Sequence, residues 1–546
     1  MSAATMDQAK APAATALDYD AIVIGAGMSG MYQLIRLREL GLRARVFEAG
    51  TGVGGTWYWN RYPGARFDSE SYSYGFSFDK ELLQDWSWSE HFAPQPETLR
   101  YLNHVADRYD LKRDIQFRSP VAAAHYQDSS GTWAITLADG SRHTSRFLIT
   151  GIGALSAPTL PRIEGVESFR GQAFHTAKWP HEPVDFAGKR VAVIGTGATG
   201  VQTIQEVAKT AGHLTVFQRT PNWCTPLHNR PITPEEQVQI KANYDDLFRR
   251  CRETFACFLH TADPRGTFEV TPEEREAFYE QLYASPGFGI WVGNFKDMLI
   301  DRAANKEISD FVARKIRQRV KDPKVAEMLI PKNHGFGTRR VPQETHYYEV
   351  YNQPNVTLVD SKATPIERIT ERGIKTTDAE FEFDIIIYAT GFDALTGAFD
   401  RIDIRGKGGL ALKQKWSGGA QTFVGMLVQD FPNMFMLLGP HTALGNIPRS
   451  IEYNVEWVTG LLRHMQQHQL TLAAAKPSAV QTWTDHVMSC AEGLLTFEVD
   501  SWMTGVNSNV EGKQTRTIAR YAGSAPAYRA WCDDVAARGY QELDLS

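Results

Sequence analysis

Two glycine-rich turns constrain the fold of this chain more than any other sequence feature. The first turn reads GAGMSG at 25–30 and follows the apolar run 21–24; the second reads GTGATG at 195–200 and follows the run 190–194. Each turn leads into a helical stretch and then a second apolar run, which is the order of a βαβ unit. Two such units about 170 residues apart predict an α/β chain that binds two nucleotides.

The three glycines of each turn have separate expected roles. In a Rossmann-like unit the first permits the tight turn, the second lets the backbone approach a pyrophosphate, and the third lets the helix pack on the strand. The residues concerned are Gly25, Gly27 and Gly30 in the first turn and Gly195, Gly197 and Gly200 in the second.

The two units differ where their second strand ends. The first offers Glu48, which suits a free ribose hydroxyl, whereas the second offers Arg219 followed by Thr220. A guanidinium suits a 2′-phosphate, so the second nucleotide is predicted to be NADP; the alternative is that Arg219 only ends a strand in solvent. Hydride transfer from NADPH to FAD is the simplest chemistry that uses both nucleotides.

Composition excludes several other classes of protein. The chain has 546 residues, 42% of them hydrophobic, and a formal net charge of −5, which gives no reason to expect a nucleic-acid or membrane partner. Its five cysteines form no CxxC pair, so neither a zinc site nor dithiol exchange is expected. No run is apolar enough for a membrane span, and a reduced, cytoplasmic setting is predicted.

The motif order predicts a discontinuous domain arrangement. The buried run before Ala389-Thr390-Gly391 indicates where the chain returns to its first domain. Periodic charged segments between 226 and 331 predict a helical insertion. The expected parts are a disordered tail at 1–17, an FAD domain at 18–153 and 383–546, an NADP domain at 154–225 and 332–382, and the helical insertion at 226–331.

Two longer motifs carry a family resemblance. Residues 169–180 read FRGQAFHTAKWP and residues 54–68 read GGTWYWNRYPGARFD. These resemble the signatures FxGxxxHxxxWP and GGxWxxxxYPGxxxD of Baeyer–Villiger monooxygenases that contain FAD and use NADPH, and the resemblance extends from about residue 20 to 540. Disulfide reductases share the layout but carry a reactive cysteine pair after the first turn, where this chain has none.

The resemblance implies a reaction and a catalytic pair. Such enzymes convert a ketone to an ester or lactone with NADPH and dioxygen, through an enzyme-bound peroxyflavin. Arg340 matches the arginine that stabilises the peroxide and the tetrahedral adduct, and Asp68 matches its carboxylate partner. From the residues alone, Arg340 could instead bind phosphate, and Asp68 would be a turn residue.

The same resemblance implies further cofactor contacts. Gly55, Trp57 and Asp68 fall in the second signature, and Arg339 stands where the family commonly has a lysine on the 2′-phosphate. Trp502 matches a tryptophan on a mobile loop that closes over the nicotinamide nucleotide, although an isolated tryptophan is more often core. His175 and Trp179 are expected to lie on a linker that couples the domains, and not to act on substrate.

Several alternatives stay open at this point. A flavin monooxygenase that oxidises nitrogen or sulfur would share most of these features, and a redox sensor without turnover would share the nucleotide sites. Residues 439–446 and 502–513 are expected to line the pocket, but they do not choose between small cyclic, bulky terpenoid or steroid, and linear or aryl ketones. No obligate protein partner is indicated.

Overall fold

The computed structural model describes residues 17–546, so the predicted tail at 1–17 lies outside the described residues except for Leu17. Two sheets organise the described chain. The first is mixed and the second is parallel throughout. Both predicted βαβ units are confirmed, one in each sheet.

The first sheet contains the first glycine turn. Its strand order across the sheet is Asp403–Arg405, Val121–Gln127, Thr132–Leu137, Arg142–Thr150, Tyr19–Ile24, Ala44–Phe47 and Ile115–Gln116, with Met434–Met436 beside the end of Arg142–Thr150. The central strand Tyr19–Ile24 is parallel to both of its neighbours. Its last four residues are buried, because Ala21 and Val23 face one hydrophobic core and Ile22 and Ile24 face another.

One face of the first sheet is covered by helices from distant parts of the chain. Met28–Glu39 follows the first glycine turn and packs against the long helix Ile447–Gln467. The helices Gln95–Arg108, Pro477–Ala491 and Ala525–Ala537 contribute to the same hydrophobic core. The C-terminal part of the chain is therefore built into the first sheet's core.

The second sheet contains the second glycine turn. Its order is Val356–Asp360, His213–Gln218, Arg190–Ile194, Ile385–Tyr388 and Gln172–His175. The FAD domain is predicted to resume at 383, but the strand Ile385–Tyr388 pairs in register with Arg190–Ile194 of the second sheet. The chain returns to the first sheet only after this strand.

Residues 169–180 also differ from their prediction. The sequence predicts a linker position for His175 and Trp179, but Gln172–His175 is the edge strand of the second sheet, parallel to Ile385–Tyr388. A 3₁₀ turn at Thr176–Lys178 follows it. The motif is thus partly structural, since four of its twelve residues form a sheet edge.

The segment 226–331, all of which is described, is mainly helical. Its helices are Pro234–Ala242, Tyr244–Glu253, Pro272–Ala284, Gly289–Val292, Arg302–Arg319 and Pro323–Leu329. Thr233 and Thr271 begin two of them with capping boxes, each followed by proline at the first helical position. The last four of these helices share a hydrophobic core with the second sheet. The helix Tyr244–Glu253 packs instead in a separate small cluster that includes Leu83.

Small elements complete the described chain. The remaining strands form three minor sheets: Ile366–Ile369, Gly373–Thr376 and Glu380–Glu382; Thr225–Pro226 with Gln343–Glu344; and Ala473–Ala475 with Leu543–Leu545. The short helices are Thr56–Trp59, Ser71–Tyr74, Lys80–Asp85, Ala198–Val207, Tyr347–Val350 and Leu412–Lys415.

Three further properties concern residues 17–546 only. None of their helices combines the length and the apolar character that crossing a bilayer requires. They contain no cluster of three or more His, Cys, Asp or Glu side chains suited to a metal ion. All five cysteines are free thiols.

Candidate active site

Arg340 and Asp68 form an ion pair between two distant segments of the chain. Asp68 lies in the segment that follows the first glycine unit, and Arg340 follows the helical segment 226–331. Nη2 of Arg340 donates to Oδ2 of Asp68 at 2.8 Å. The Asp68 side chain is 1% exposed, whereas that of Arg340 is 34% exposed. The guanidinium of Arg340 is therefore accessible, whereas the carboxylate that balances its charge is buried.

The environment of Asp68 sets its protonation. Burial raises the pKa of Asp68 above its ordinary value, while the charge of Arg340 and a backbone N–H of Gln343 act in the opposite direction. Tyr62 lies beside the same pair, and burial also raises the pKa of its phenol. Tyr62 is consequently a neutral hydrogen-bond donor at working pH.

The first glycine turn makes a tight backbone cradle. Gly25 has φ of 98°, and a Cβ there would lie 2.6 Å from the carbonyl oxygen of Gly151. A Cβ on Gly30 would lie 1.8 Å from the carbonyl oxygen of Gly25. The helix can therefore approach the turn this closely only because residue 30 has no side chain. The helix begins after Gly27 with no side-chain cap, which leaves its first N–H groups directed at the turn.

Glu48 braces this cradle from the neighbouring strand. Its Oε2 accepts from the N–H of Ala26 at 2.7 Å, and its Oε1 accepts from the N–H of Gly50 at 2.7 Å. Burial raises the pKa of Glu48, and these backbone donors lower it. Each carboxylate oxygen retains a second lone pair for a ligand hydroxyl.

Gly55 lies against the first glycine turn, and Trp57 is two residues further along the chain. A Cβ on Gly55 would sit 2.8 Å from the Cα of Gly27, so the second signature and the glycine turn are in direct contact. Trp57 is buried, its ring is edge-on to Phe67 at 5.6 Å, and its Nε1 donates to the hydroxyl of Tyr74 at 3.2 Å. Its side chain therefore holds the signature in shape.

The second glycine turn repeats the geometry of the first. A Cβ on Gly200 would lie 2.3 Å from the carbonyl oxygen of Gly195, whereas a Cβ on Gly197 would meet open space. Oγ1 of Thr196 donates to the carbonyl oxygen of Thr220 at 3.0 Å, which brings Thr220 beside the turn. The open side at Gly197 is where a pyrophosphate can approach the helix N-terminus.

Arg219 and Arg339 form a concentration of positive charge near this turn. Burial lowers the pKa of Arg339, the charge of Arg219 lowers it further, and Asp500 acts in the opposite direction. Nε of Arg339 is buried without a hydrogen-bond partner among the described residues. Two neighbouring guanidinium groups with an unpaired donor fit a bound anion such as a 2′-phosphate.

Trp502 begins a 3₁₀ turn, Trp502–Thr504. The loop that contains this turn contacts residues 392–393 and the second glycine unit. Nζ of Lys513 lies 2.5 Å from Asp393, and Nδ2 of Asn507 donates to the carbonyl oxygen of Phe392 at 2.9 Å. Nη1 of Arg219 donates to Oγ of Ser508, in the same loop, at 2.8 Å. Residues 500–513, the Trp502 loop hereafter, therefore reach the second glycine unit.

His175 has the properties of a neutral structural histidine. Burial lowers its pKa to about 4. Its Nδ1 accepts from the N–H of Ala177 at 3.0 Å, inside its own motif. A histidine held this way carries no charge at working pH.

Sequence reasoning missed two polar contacts of this region. Gln202 contacts Asp68, and Lys513 pairs with Asp393. Gln202 lies among apolar residues of a helix, and nothing in that local pattern marks its amide as functional. Nothing in the local sequence marks Lys513 either, because its partner Asp393 is 120 residues away.

Comparisons with known proteins agree with this geometry. The flavin-binding monooxygenase-like family matches residues 20–236. The chain is 45% identical to 2-oxo-Δ³-4,5,5-trimethylcyclopentenylacetyl-CoA monooxygenase of Pseudomonas putida, over 99% of this chain and 100% of that protein. It is 41% identical to a Baeyer–Villiger monooxygenase of Pseudooceanicola batsensis, with 96% of each chain covered.

A solved structure is equally similar. OTEMO in complex with FAD and NADP has a TM-score of 0.94 and 45% sequence identity to this chain. The match covers 97% of this chain and 100% of that one. Similarity of this extent includes both sheets and the segment between them.

Proposed function

Because this chain belongs to the Baeyer–Villiger type of flavin-binding monooxygenases, we propose that Arg340 and Asp68 are the catalytic pair of its reaction. The protein is an FAD-containing, NADPH-dependent monooxygenase that converts a ketone to an ester or lactone. The observation that carries the assignment of the pair is the 2.8 Å contact between the partly exposed guanidinium of Arg340 and the buried carboxylate of Asp68.

The chemistry of the reaction defines what the protein must provide. One atom of dioxygen enters between the carbonyl carbon and its neighbour, the other leaves as water, and NADPH supplies two electrons. Bound FAD supplies the oxygen-transfer chemistry, with the hydride coming from NADPH. The protein contributes binding, orientation, exclusion of water and a fixed positive charge.

Arg340 supplies the positive charge in this proposal. A guanidinium does not lose its proton at working pH, so the charge is present throughout turnover. Nη2 is held by Asp68, and the guanidinium is partly exposed, so other N–H groups can donate to a carbonyl oxygen that gains negative charge. Asp68 orients the guanidinium and balances its charge in the resting enzyme.

The first glycine turn and its surroundings fit the FAD nucleotide. The tight contact between Gly27 and Gly55 leaves backbone, and no side chain, facing the turn. Uncapped helix N–H groups suit a pyrophosphate, and Glu48 suits a ribose hydroxyl. We assign Gly25, Gly30 and Trp57 to shaping this site.

The second glycine turn fits NADP by the same reasoning. Gly195, Gly197 and Gly200 form the cradle, Thr220 lies beside it, and Arg219 with Arg339 would hold the 2′-phosphate. An arginine in place of the family's common lysine at 339 allows two parallel hydrogen bonds to one phosphate.

Trp502 and its loop complete the NADP site in this proposal. Ser508 already contacts Arg219, so the Trp502 loop is close to the residues assigned to the 2′-phosphate. A loop in this position excludes water from the reacting groups.

The domains follow from the strand pairing together with this assignment. We propose an FAD domain of 18–153 and 389–546 and an NADP domain of 154–225 and 332–388, with 226–331 inserted in the latter. The boundary at 389 keeps Ile385–Tyr388 with its partners in the second sheet.

A cyclic ketone is the substrate class that we propose. The Pseudomonas putida relative is named for a substituted cyclopentenyl substrate, and the identity to this chain spans the full length of both proteins. Its name also includes a coenzyme A group, so free and thioester-bound ring ketones are both to be tried.

The test is product formation by purified holoenzyme with small, bulky and linear ketones, followed by mass spectrometry. We expect products one oxygen atom heavier than the ketone, with ring ketones oxidised fastest. Arg340→Ala should still accept hydride from NADPH, but its ester formation should fall by roughly 10²–10³-fold. Arg317→Ala, an exposed arginine paired with Glu327, is the control that should retain activity.

Two outcomes would contradict the proposal. Ester formation by Arg340→Ala at the parental rate would remove Arg340 from the reaction. Sulfoxides or N-oxides from control substrates, with no ester from any ketone, would indicate heteroatom oxidation instead.

A further inference from the structure

Gln202 is a buried polar residue that connects the second glycine unit to Asp68. It lies in the helix Ala198–Val207, which begins at the second glycine turn, and is 4% exposed. Its Nε2 donates to the carbonyl oxygen of Arg66 at 3.0 Å and to Oδ1 of Asp68 at 3.4 Å. The other carboxylate oxygen of Asp68 is the one that binds Arg340.

The orientation of the Gln202 amide is fixed by its partners. The hydroxyl of Tyr62 donates to Oε1 of Gln202 at 2.8 Å. Tyr62 stays protonated because burial raises the pKa of its phenol, and the carbonyl oxygen of Arg66 can only accept. Oε1 must therefore face Tyr62, and Nε2 must face Arg66 and Asp68.

The backbone around Gln202 shows that the contact is built into the packing. Gly64 has φ of 81°, and a Cβ there would lie 2.5 Å from the carbonyl oxygen of Gln202. Residues 62–68 thus lie directly on this helix, at a position that admits only glycine. Gln202 is about 7.5 Å along the helix axis from Gly197, at 1.5 Å per residue.

We propose that Gln202 is a positioning residue that holds the Asp68 carboxylate, and through it Arg340, in register with the helix of the second glycine unit. A movement of that helix when the nucleotide binds would be carried to Asp68 by the amide. The inference rests on the proposed role of Arg340 and Asp68. It assigns to Gln202 no contact with substrate or cofactor.

Two substitutions test the contact. Gln202→Leu keeps the approximate volume but removes the donor, and Gln202→Glu keeps the acceptor for Tyr62 but sets a second carboxyl against Asp68. Loss of a donor to a carboxylate raises its pKa, and a like charge raises it further. The other groups facing Asp68 are Arg340, Arg66, Tyr62 and Cys224.

The expected result has a definite sign. In both variants the acid limb of the pH profile for ester formation should move to higher pH, further in Gln202→Glu. The maximum rate should fall by roughly three- to tenfold, as for the loss of one ordinary hydrogen bond, because the contact with Asp68 is long at 3.4 Å. The pH dependence of the thermal unfolding midpoint should move in the same direction, which is a readout independent of turnover.

Gln205→Leu is the matched control. Gln205 lies one turn further along the same helix, is also buried, and accepts from the N–H of Thr345 at 2.7 Å without contacting Asp68. This variant should lose stability but keep the wild-type pH profile.

The outcomes separate this inference from the proposed function. Wild-type pH profiles in both Gln202 variants, or a profile change in Gln205→Leu as large as theirs, would overturn the positioning role. If the Gln202 variants give that result while Arg340→Ala and Asp68→Asn abolish ester formation, the catalytic pair stands and only the positioning role of Gln202 is overturned. Full ester formation by Arg340→Ala would overturn both.

Discussion

Arg340 and Asp68 are 272 residues apart in the chain and 2.8 Å apart in space. The carboxylate belongs to the segment that follows the first glycine unit, and the guanidinium to the segment that follows the helical region. The carboxylate is buried and the guanidinium is partly exposed. The loss of Asp68 and the loss of Arg340 should therefore differ from each other in their effects on stability and on catalysis.

Asp68→Asn should separate these effects. Oxygenation should fall at least roughly tenfold, because the guanidinium loses the charge that orients it. Burial raises the pKa of Asp68, so the folded protein binds this proton more tightly than the unfolded chain does. The resulting stability is fully present below the unfolded pKa and is lost as pH rises through the folded pKa. Urea unfolding across that window should show this pH slope in the wild type and not in Asp68→Asn; an equal slope in both would be inconsistent with the assignment.

Arg219→Ala and Arg339→Ala should change the choice of nucleotide. Each variant should raise KM for NADPH by roughly 10–100-fold, as expected for loss of charge-assisted bonds to a phosphate, with use of NADH changed little. The measurement is steady-state kinetics with both nucleotides. Arg314→Ala, an arginine paired with Glu276 on the inserted helices, is the control. A parallel loss with NADPH and NADH would mean that the two arginines do not read the 2′-phosphate.

His175→Asn should leave the pH profile of ester formation unchanged, because the histidine is already neutral. Its pKa is lowered from 6.5 to about 4 by burial. A base with a depressed folded pKa contributes stability that is fully present above the unfolded pKa of 6.5 and is lost as pH falls through about 4. Thermal unfolding should therefore be less acid-sensitive in the variant over this range. Disappearance of one limb of the activity profile would instead identify His175 as a catalytic base.

Lys513→Met should loosen the Trp502 loop. Lys513 lies 2.5 Å from Asp393 and 2.8 Å from Oγ1 of Thr396, and its loss leaves a nearly buried carboxylate unpaired. Such a defect costs about 1–3 kcal/mol locally, enough to favour an open loop. We expect a larger share of NADPH oxidation to yield hydrogen peroxide, measured against ester formed. Lys415→Met removes a lysine of similar exposure that pairs with the more exposed Asp430 outside the loop, and it should keep the wild-type ratio.

The nucleotide units were predictable because their determinants are local. A strand, a glycine turn, a helix and a second strand occupy about 30 consecutive residues, and the acid or base at the end follows directly. The positions of Glu48 and Arg219 directly after the second strand of each unit could thus be predicted. The structure adds that Glu48 also braces the turn through the N–H groups of Ala26 and Gly50.

The domain boundary near 383 shows where local patterns stop being sufficient. The apolar run there predicts a buried strand, and Ile385–Tyr388 is one. An apolar run of this kind does not indicate which strand it pairs with. In the structure it pairs with Arg190–Ile194 of the second sheet and not with a strand of the first sheet. Strand pairing depends on register and packing between distant segments, which hydrophobic periodicity does not specify.

The sequence by itself determined two nucleotide units, their difference in charge, and the family motifs that point to oxygenation of ketones. Only the tertiary structure decided that Gln202 spans from one unit to Asp68, and that Lys513 holds the Trp502 loop on Asp393. The physical reason is that glycine turns and helix periodicity act over a few residues. A buried amide or an ion pair depends instead on which distant groups the packing leaves within 3–4 Å, the range of a hydrogen bond or a close ion pair.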